Sequence, residues 1–286
     1  MLAIVGLIIV FGAVIGGYLM EHGQLAVLMQ PAEFLIIGGA AIGALLCGTP
    51  MKIFKEIISQ LTKIFGSGFS KQAYTDLLVM MYELFNVARK DGLVGLETHI
   101  ENPEESAVLN KYGSFMKNHH ALHFMADTMR LIIMGGVPEH DLDAMLDLDL
   151  ELHHQEAMKA SSSLQTIGDA LPGLGIVAAV LGVVITMGKI GGPPEMIGHS
   201  VGAALVGTFL GILLSYGMVQ PLAQNIGHMT DNDSKYYLCL KQGLLAFHKG
   251  FAASIAIEFA RRVIPADVRP GFSEVEDACR AAKAGK

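Results

Sequence analysis

The sequence has no tryptophan, and only 16% of its 286 residues are charged, against 52% hydrophobic. That is little charge and much apolar surface for a soluble domain. Charged and apolar residues also fall into separate runs, which points to an integral membrane protein with sizeable soluble parts. Basic excess is missing: a net charge of −7 offers no basic patch for nucleic acid. Cysteine is scarce, and Cys47, Cys239 and Cys279 lie far apart without metal-ligand spacing, so they are assigned no role. The start of the chain lacks a basic n-region and an A-x-A cleavage site, so Leu2–Leu19 is expected to be a retained span. There is no P-loop, no G-x-S-x-G and no H-E-x-x-H. The chain is therefore expected to be no enzyme and to need no cofactor. No run of strict apolar/polar alternation extends over several strands, so the expected class is all-α.

What is present is a set of long uncharged runs. Ala170–Gly188 and Ser200–Gln220 flank a Gly/Pro turn at Gly191–Pro194. Each run is long enough to cross a bilayer as a helix, which takes about 20 apolar residues. Lipid offers no partners for backbone N–H and C=O groups, so a helix is the form expected of a span. Two more spans precede them. The expected layout is transmembrane helix 1 at 1–20, an outer loop at 21–33, helix 2 at 34–51 and a helical cytoplasmic domain at 52–168. Helix 3 follows at 169–189, an outer turn at 190–199, helix 4 at 200–221 and a cytoplasmic C-terminal region at 222–286. Four spans put both termini on one side. Ten Lys and Arg lie in 52–168 and nine in 222–286, with only Lys189 elsewhere, so both large regions and both termini are expected in the cytoplasm.

The soluble regions read as helices. Tyr74, Leu77, Leu78, Met81, Leu84, Phe85 and Ala88 form one apolar helical face that Asp91-Gly92 should stop. Ala121–Met134 is a second helix, ended by Gly135-Gly136. A third starts near Glu139 and can run on into the third span. A fourth is expected over Tyr236–Ala260. The acids Asp141, Asp143, Asp147, Asp149 and Glu151 read as a solvated face. His119 and His123 stand at i, i+4, a possible metal pair, but no Cys or carboxylate completes a ligand pattern, and His153-His154 have no assigned role. Arg89, Lys90, Glu97 and Glu101 read, by default, as solvated surface charges.

Small residues recur four apart at Gly12/Gly16, Gly39/Gly43, Ala178/Gly182/Thr186 and Gly207/Gly211/Ser215. In lipid such faces let helices pack closely, either within one subunit or between copies. Pro172 and Pro221 fall at the inner ends of spans three and four. They read as a helix starter and a terminator, or as a paired hinge at one depth. Glu33, Asp169 and His199 all fall at span edges, so no ionisable side chain is expected near mid-membrane. Ion movement normally uses such a group, so a partner would have to supply it. Thr208 offers a hydroxyl inside span four, with a back-bond to the carbonyl four residues earlier as its ordinary role.

The chain resembles the A subunit of the bacterial flagellar stator, the MotA type. The motifs are GGYL near residue 16, QPAE at 30–33, IENPEES at 100–106, GDALPGLGIVAAVLGVV at 168–184, VGTFLGILLSYG at 206–217, QPLA at 220–223 and RPGF at 269–272. The resemblance runs nearly the whole chain in order. The hairpin motif alone is shared more loosely with ExbB and TolQ energisers, which are the alternative. The resemblance implies a pentameric ring around two single-span B subunits, in the bacterial inner membrane. The outer segments would then be periplasmic. A B-subunit aspartate would carry the ion, and ion flow would drive flagellar rotation in motility and chemotaxis. It implies that Pro172 and Pro221 couple ion passage to movement and that Thr208 faces the aspartate. Arg89 and Glu97 would engage the rotor's switch protein. Sodium-type relatives place a threonine where this chain has Ala179, which implies protons as the coupling ion.

Overall fold

The structure, a computed structural model, describes residues 2–64 and 68–284. Among them there are helices and turns but no strand. In chain order the helices are α1 (Leu2–Met20), α2 (Leu25–Leu28), α3 (Pro31–Gly48), α4 (Met51–Lys63), α5 (Lys71–Glu101) and α6 (Gly113–Met116). There follow α7 (His119–Met134), α8 (Glu139–Met187), α9 (Pro194–Leu214), α10 (Gln220–His248), α11 (Ala253–Arg262) and α12 (Phe272–Lys283). Among the described residues four helical stretches are long and apolar enough to cross a membrane: Leu2–Met20, Leu25–Gly48 and the apolar parts of Glu139–Met187 and Pro194–His248.

The chain divides into two compact units, residues 1–67 with 156–230, and residues 68–155 with 231–286. The first unit holds the four spans. None of the residues of α1 is buried, as suits a helix whose solvent is lipid. The apolar centre of this unit is formed by Ile37, Ala41, Leu171, Ala178, Val206 and Leu210. α9 does not end at Leu214. It passes through one wide π-turn, Ser215–Val219, directly into α10.

The second unit is a water-type helical domain. Leu77, Leu78, Met81, Leu84 and Phe85 on α5 are fully buried, as their spacing predicts. They meet α7, α11, α12 and the later part of α10 in one core. Phe85 stacks on Phe247 at 4.5 Å and Phe69 on Tyr236 at 3.9 Å. Ser70 and Asn118 cap α5 and α7 by accepting from the amides of Ala73 and Ala121. Gly135, with φ 71°, terminates α7 in the left-handed region open to glycine.

Several expectations need correction. The helix of 71–91 is broken at Gly92, whose φ is 76°, but helix resumes at once and carries Glu97 and Glu101. The helix expected over Tyr236–Ala260 is two helices, because Gly250 at φ 82° separates α10 from α11. The acidic series is not wholly solvated. Asp143 and Asp147, one turn apart on α8, both bind the ammonium of Lys241, at 2.5 and 2.6 Å. The Lys241 side chain is 3% exposed, so the two carboxylates stand at its buried end and not in free solution. The i, i+4 histidine pair is not the geometry found. His120 stacks on His153, ring centroids 3.6 Å apart, and both meet Tyr237 edge-on at 5.0 Å. Among the described residues no group of three His, Cys, Asp or Glu is arranged to hold a metal.

Candidate functional site

α8 and α9 form an antiparallel seam in which glycine replaces side chains. A Cβ added at Gly175 would stand 2.7 Å from the Gly207 carbonyl and 3.0 Å from Gly211 Cα. One added at Gly211 would stand 2.7 Å from the Leu171 carbonyl. Further along, a Cβ at Gly182 would come 2.7 Å from Ala204 Cβ. The two backbones are thus in direct contact, which only small residues allow. Of the small-residue series foreseen, Ala178, Thr186, Gly207, Gly211 and Ser215 are buried in this seam or beside it, and Gly182 is half-buried. Gly12, Gly16, Gly39 and Gly43 have open space at their Cβ positions.

Pro172 lies inside α8, not at a helix start. It has no N–H to give the carbonyl four residues back, which is Gly168, and interior proline costs a helix about 3 kcal/mol. The Ser215 hydroxyl donates to that Gly168 carbonyl at 2.6 Å. Pro221 is no terminator either, since α10 runs on to His248. It follows the π-turn, in which the Gln220 amide donates to the Ser215 carbonyl five residues back. Wide turns of this kind relieve the helix where a regular turn cannot form. The Gln220 amide side chain then donates to Asp169 Oδ1 at 2.9 Å and to Ser215 Oγ at 3.1 Å. These hydrogen bonds tie Gly168 and Asp169, in the turn before Pro172, to Ser215 and Gln220. The prolines do not share the one depth expected of them: Leu171 faces Gly211 whereas Ser161 faces Ala223, so Pro221 lies roughly two turns of helix further from the Gly191–Pro194 turn than Pro172 does.

Thr208 is half-buried one residue after Gly207 on α9, and Ala179 half-buried beside Ala178 on α8. A Cβ at Gly207 would stand 3.1 Å from the Ala179 amide nitrogen, so Thr208 and Ala179 belong to the same stretch of seam. The back-bond foreseen for Thr208 is found instead at Thr186, whose hydroxyl donates to the Gly182 carbonyl at 2.8 Å.

Arg89 and Glu97 lie in the other unit. Arg89 is exposed on the last turn before Gly92 and Glu97 is exposed beyond it. Arg89 and Lys90 line a groove of about 750 Å³ with Tyr82, Glu83, Asn86 and Lys283. Glu83 is already engaged, by Lys111 at 2.6 Å and Tyr112 at 2.7 Å. Glu97 does not line this groove. Glu101 is not free surface charge: Arg130 binds it at 2.7 Å and holds its carboxyl below the usual range. Burial pushes the His120 imidazole down and the Cys279 thiol up to about 12.

Sequence reasoning missed the hydrogen bonds of Ser215, Gln220 and Asp169. The signal was present: counting four back from Pro172 gives Gly168, a carbonyl that needs a foreign donor. It also placed Glu33 at a span edge. The structure sets it in the first turn of α3, 7% exposed, against the middle of α9.

Comparison with known proteins first gives the class. Residues 116–237 match the MotA/TolQ/ExbB proton channel family, and residues 4–92 match the motility protein A N-terminal region. Within that class the chain belongs to the motility protein A family. It is 41% identical to motility protein A of Escherichia coli over 284 residues, 99% of this chain and 96% of that one. It is 36% identical to the chemotaxis protein LafT of Vibrio parahaemolyticus, covering 95% of each. Its fold is that of two solved structures, C. jejuni MotAB (TM-score 0.74, 19% identical, 93% of this chain and 96% of that one) and the flagellar MotAB stator complex of Bacillus subtilis (TM-score 0.72, 24% identical, 93% and 97%).

Proposed function

We propose that this chain works as the A subunit of a flagellar stator, and that it moves protons only together with a single-span B subunit. Relatives named for motility and chemotaxis match almost end to end, which favours this reading over an ExbB/TolQ-like energiser. On this reading five A chains ring two B chains in the bacterial inner membrane, with both A-chain termini in the cytoplasm. The chain uses no cofactor and is not an enzyme. The observation that carries the reading is the bare α8–α9 seam closed at one end by the hydrogen bonds of Ser215 and Gln220 to Gly168 and Asp169.

A B-subunit carboxylate that binds a proton loses a charge that lipid strongly disfavours. The neutral side chain can then pass the small-residue faces near Ala179 and Thr208. Release on the cytoplasmic side restores the charge and its preference for water. Each proton gains about 2.3 kcal/mol per 100 mV of membrane potential. That energy turns the ring, and Arg89 and Glu97 pass the motion to the rotor's switch protein through charge.

The test is complementation of a deletion strain at matched protein levels. Flagella without this chain should assemble and not turn, and Pro172→Ala should turn them poorly. Arg89→Glu should lose torque and regain part of it with a reversed charge on the rotor. Normal swimming of the Arg89→Glu strain removes Arg89 from the rotor contact. Normal swimming of a deletion strain with no second stator set removes the stator reading.

A further inference from the structure

Glu33 is a carboxylate inside the membrane unit with no partner for one of its oxygens. It is 7% exposed, and its Oε2 is buried without a hydrogen bond among the described residues. It is held there by the short α2 and the turn at Gln30, which bring the start of α3 against α9. A Cβ added at Gly207 would stand 2.5 Å from Oε2, so the carboxylate lies over bare backbone, directly before Thr208. At 1.5 Å per residue this is about 20 Å along α9 from Pro194. The apolar cluster of the same unit takes Ile37 from one turn further along α3, Val206 and Leu210 from either side of Gly207 on α9, and Val27 and Leu28 from α2.

Two physical effects oppose each other at this position. An unpaired buried carboxylate strongly disfavours its charged form. The first turn of a helix, with its unsatisfied amides, favours an anion. A carboxyl under both influences is poised to exchange a proton. No other charge on the packed elements decides the matter. α2 carries none, the titratable groups of α9 are Glu195 and His199 at its start, and the apolar part of α8 carries only Asp169 at its far end. Among the described residues no group of three His, Cys, Asp or Glu is arranged to hold a metal ion. A proton needs one oxygen.

We propose that Glu33 is a proton-binding site of this chain within the membrane, taking up and releasing a proton at Oε2 during conduction beside the partner's carboxylate. The bond made and broken is the O–H of one carboxyl group, and the proton comes from and returns to the conduction path. The binding part stands alone; the conduction part rests on the stator reading.

The experiment uses the full A–B complex in liposomes. Infrared difference spectra between acid and alkaline pH should show a neutral-carboxyl C=O band that disappears in Glu33→Gln. Proton flux under a membrane potential should fall roughly tenfold in Glu33→Gln and less in Glu33→Asp, as for a relay carboxyl. Gly207→Ala, which keeps the carboxyl group but displaces its Oε2, should lower flux as well. A titration difference identical in wild type and Glu33→Gln overturns the site. Wild-type flux in Glu33→Gln overturns its part in conduction. A wild-type complex that conducts no protons is the failure of the stator reading instead, and the infrared result is then read on its own.

Discussion

The hydroxyl of Ser215 donates to the carbonyl of Gly168, the acceptor that Pro172 cannot serve. One helix thus repairs the other at the point where proline opens it, and the repair links the two helices of the seam.

That relationship makes a prediction about coupling. Ser215→Ala leaves a buried carbonyl unpaired and should destabilise the folded subunit by about 1–3 kcal/mol. Pro172→Ala returns an amide to Gly168, so Ser215→Ala should cost less in that background. A double-mutant cycle by unfolding in detergent should give an interaction of about 1 kcal/mol. Purely additive effects would mean that Ser215 and Pro172 are not linked through Gly168.

The glycines of the seam should differ sharply from those elsewhere. Gly211→Ala drives a methyl against the Leu171 carbonyl and should cost about 1–3 kcal/mol. Gly12→Ala and Gly39→Ala meet open space and should leave subunit stability unchanged within about 0.5 kcal/mol. If either of these two weakens complex assembly while the isolated chain stays stable, its face is a contact between subunits.

Lys241 and its two carboxylates should respond asymmetrically. Lys241→Met removes a buried ammonium and leaves Asp143 and Asp147, 43% and 65% exposed, to be solvated. Asp143→Asn with Asp147→Asn strands the ammonium in the core. The double replacement should cost about 3–5 kcal/mol and Lys241→Met markedly less, measured by thermal unfolding of the detergent-solubilised chain. Equal losses would show that the triad acts through its packing alone.

His120 should make the second unit sensitive to acid. Burial lowers its affinity for a proton, with smaller opposing and reinforcing effects from Asp149 and His123. Above about pH 6.5 the ring is neutral in both folded and unfolded chains, and stability does not depend on it. As pH falls below that value the unfolded chain binds the proton first, so stability drops. His120→Gln should flatten the decline of melting temperature between neutral pH and about pH 5. An unchanged slope would assign the decline to other groups.

Much of this architecture was legible in the residues. The spans announced themselves by length, and the core face of α5 by its period. Gly135 marked a helix end in the sequence as it does in space. What escaped notice shares one cause: a contact between residues far apart in the chain. Asp143 and Asp147 look solvated until α10 brings Lys241 between them. Glu33 looks like an edge residue until the turn at Gln30 carries α3 against α9. The break at Gly250 was missed because apolar residues continue on both sides of it. Arg89 and Glu97 were nameable from the family resemblance, but only the fold separates them, with Arg89 in a groove and Glu97 outside it.

The π-turn at Ser215–Val219 has a consequence for how this chain tolerates change in length. A wide turn is an α-helix carrying one spare residue. Upstream and downstream faces are thereby offset by about 100°, the rotation of a single residue. Removing one residue from 215–219 would absorb the spare and leave Ala223 and Ile226 facing inward as before. Removing one residue a few positions later would swing every following side chain of α10 off its face. This helix therefore has one place where it can be shortened and keep its phase.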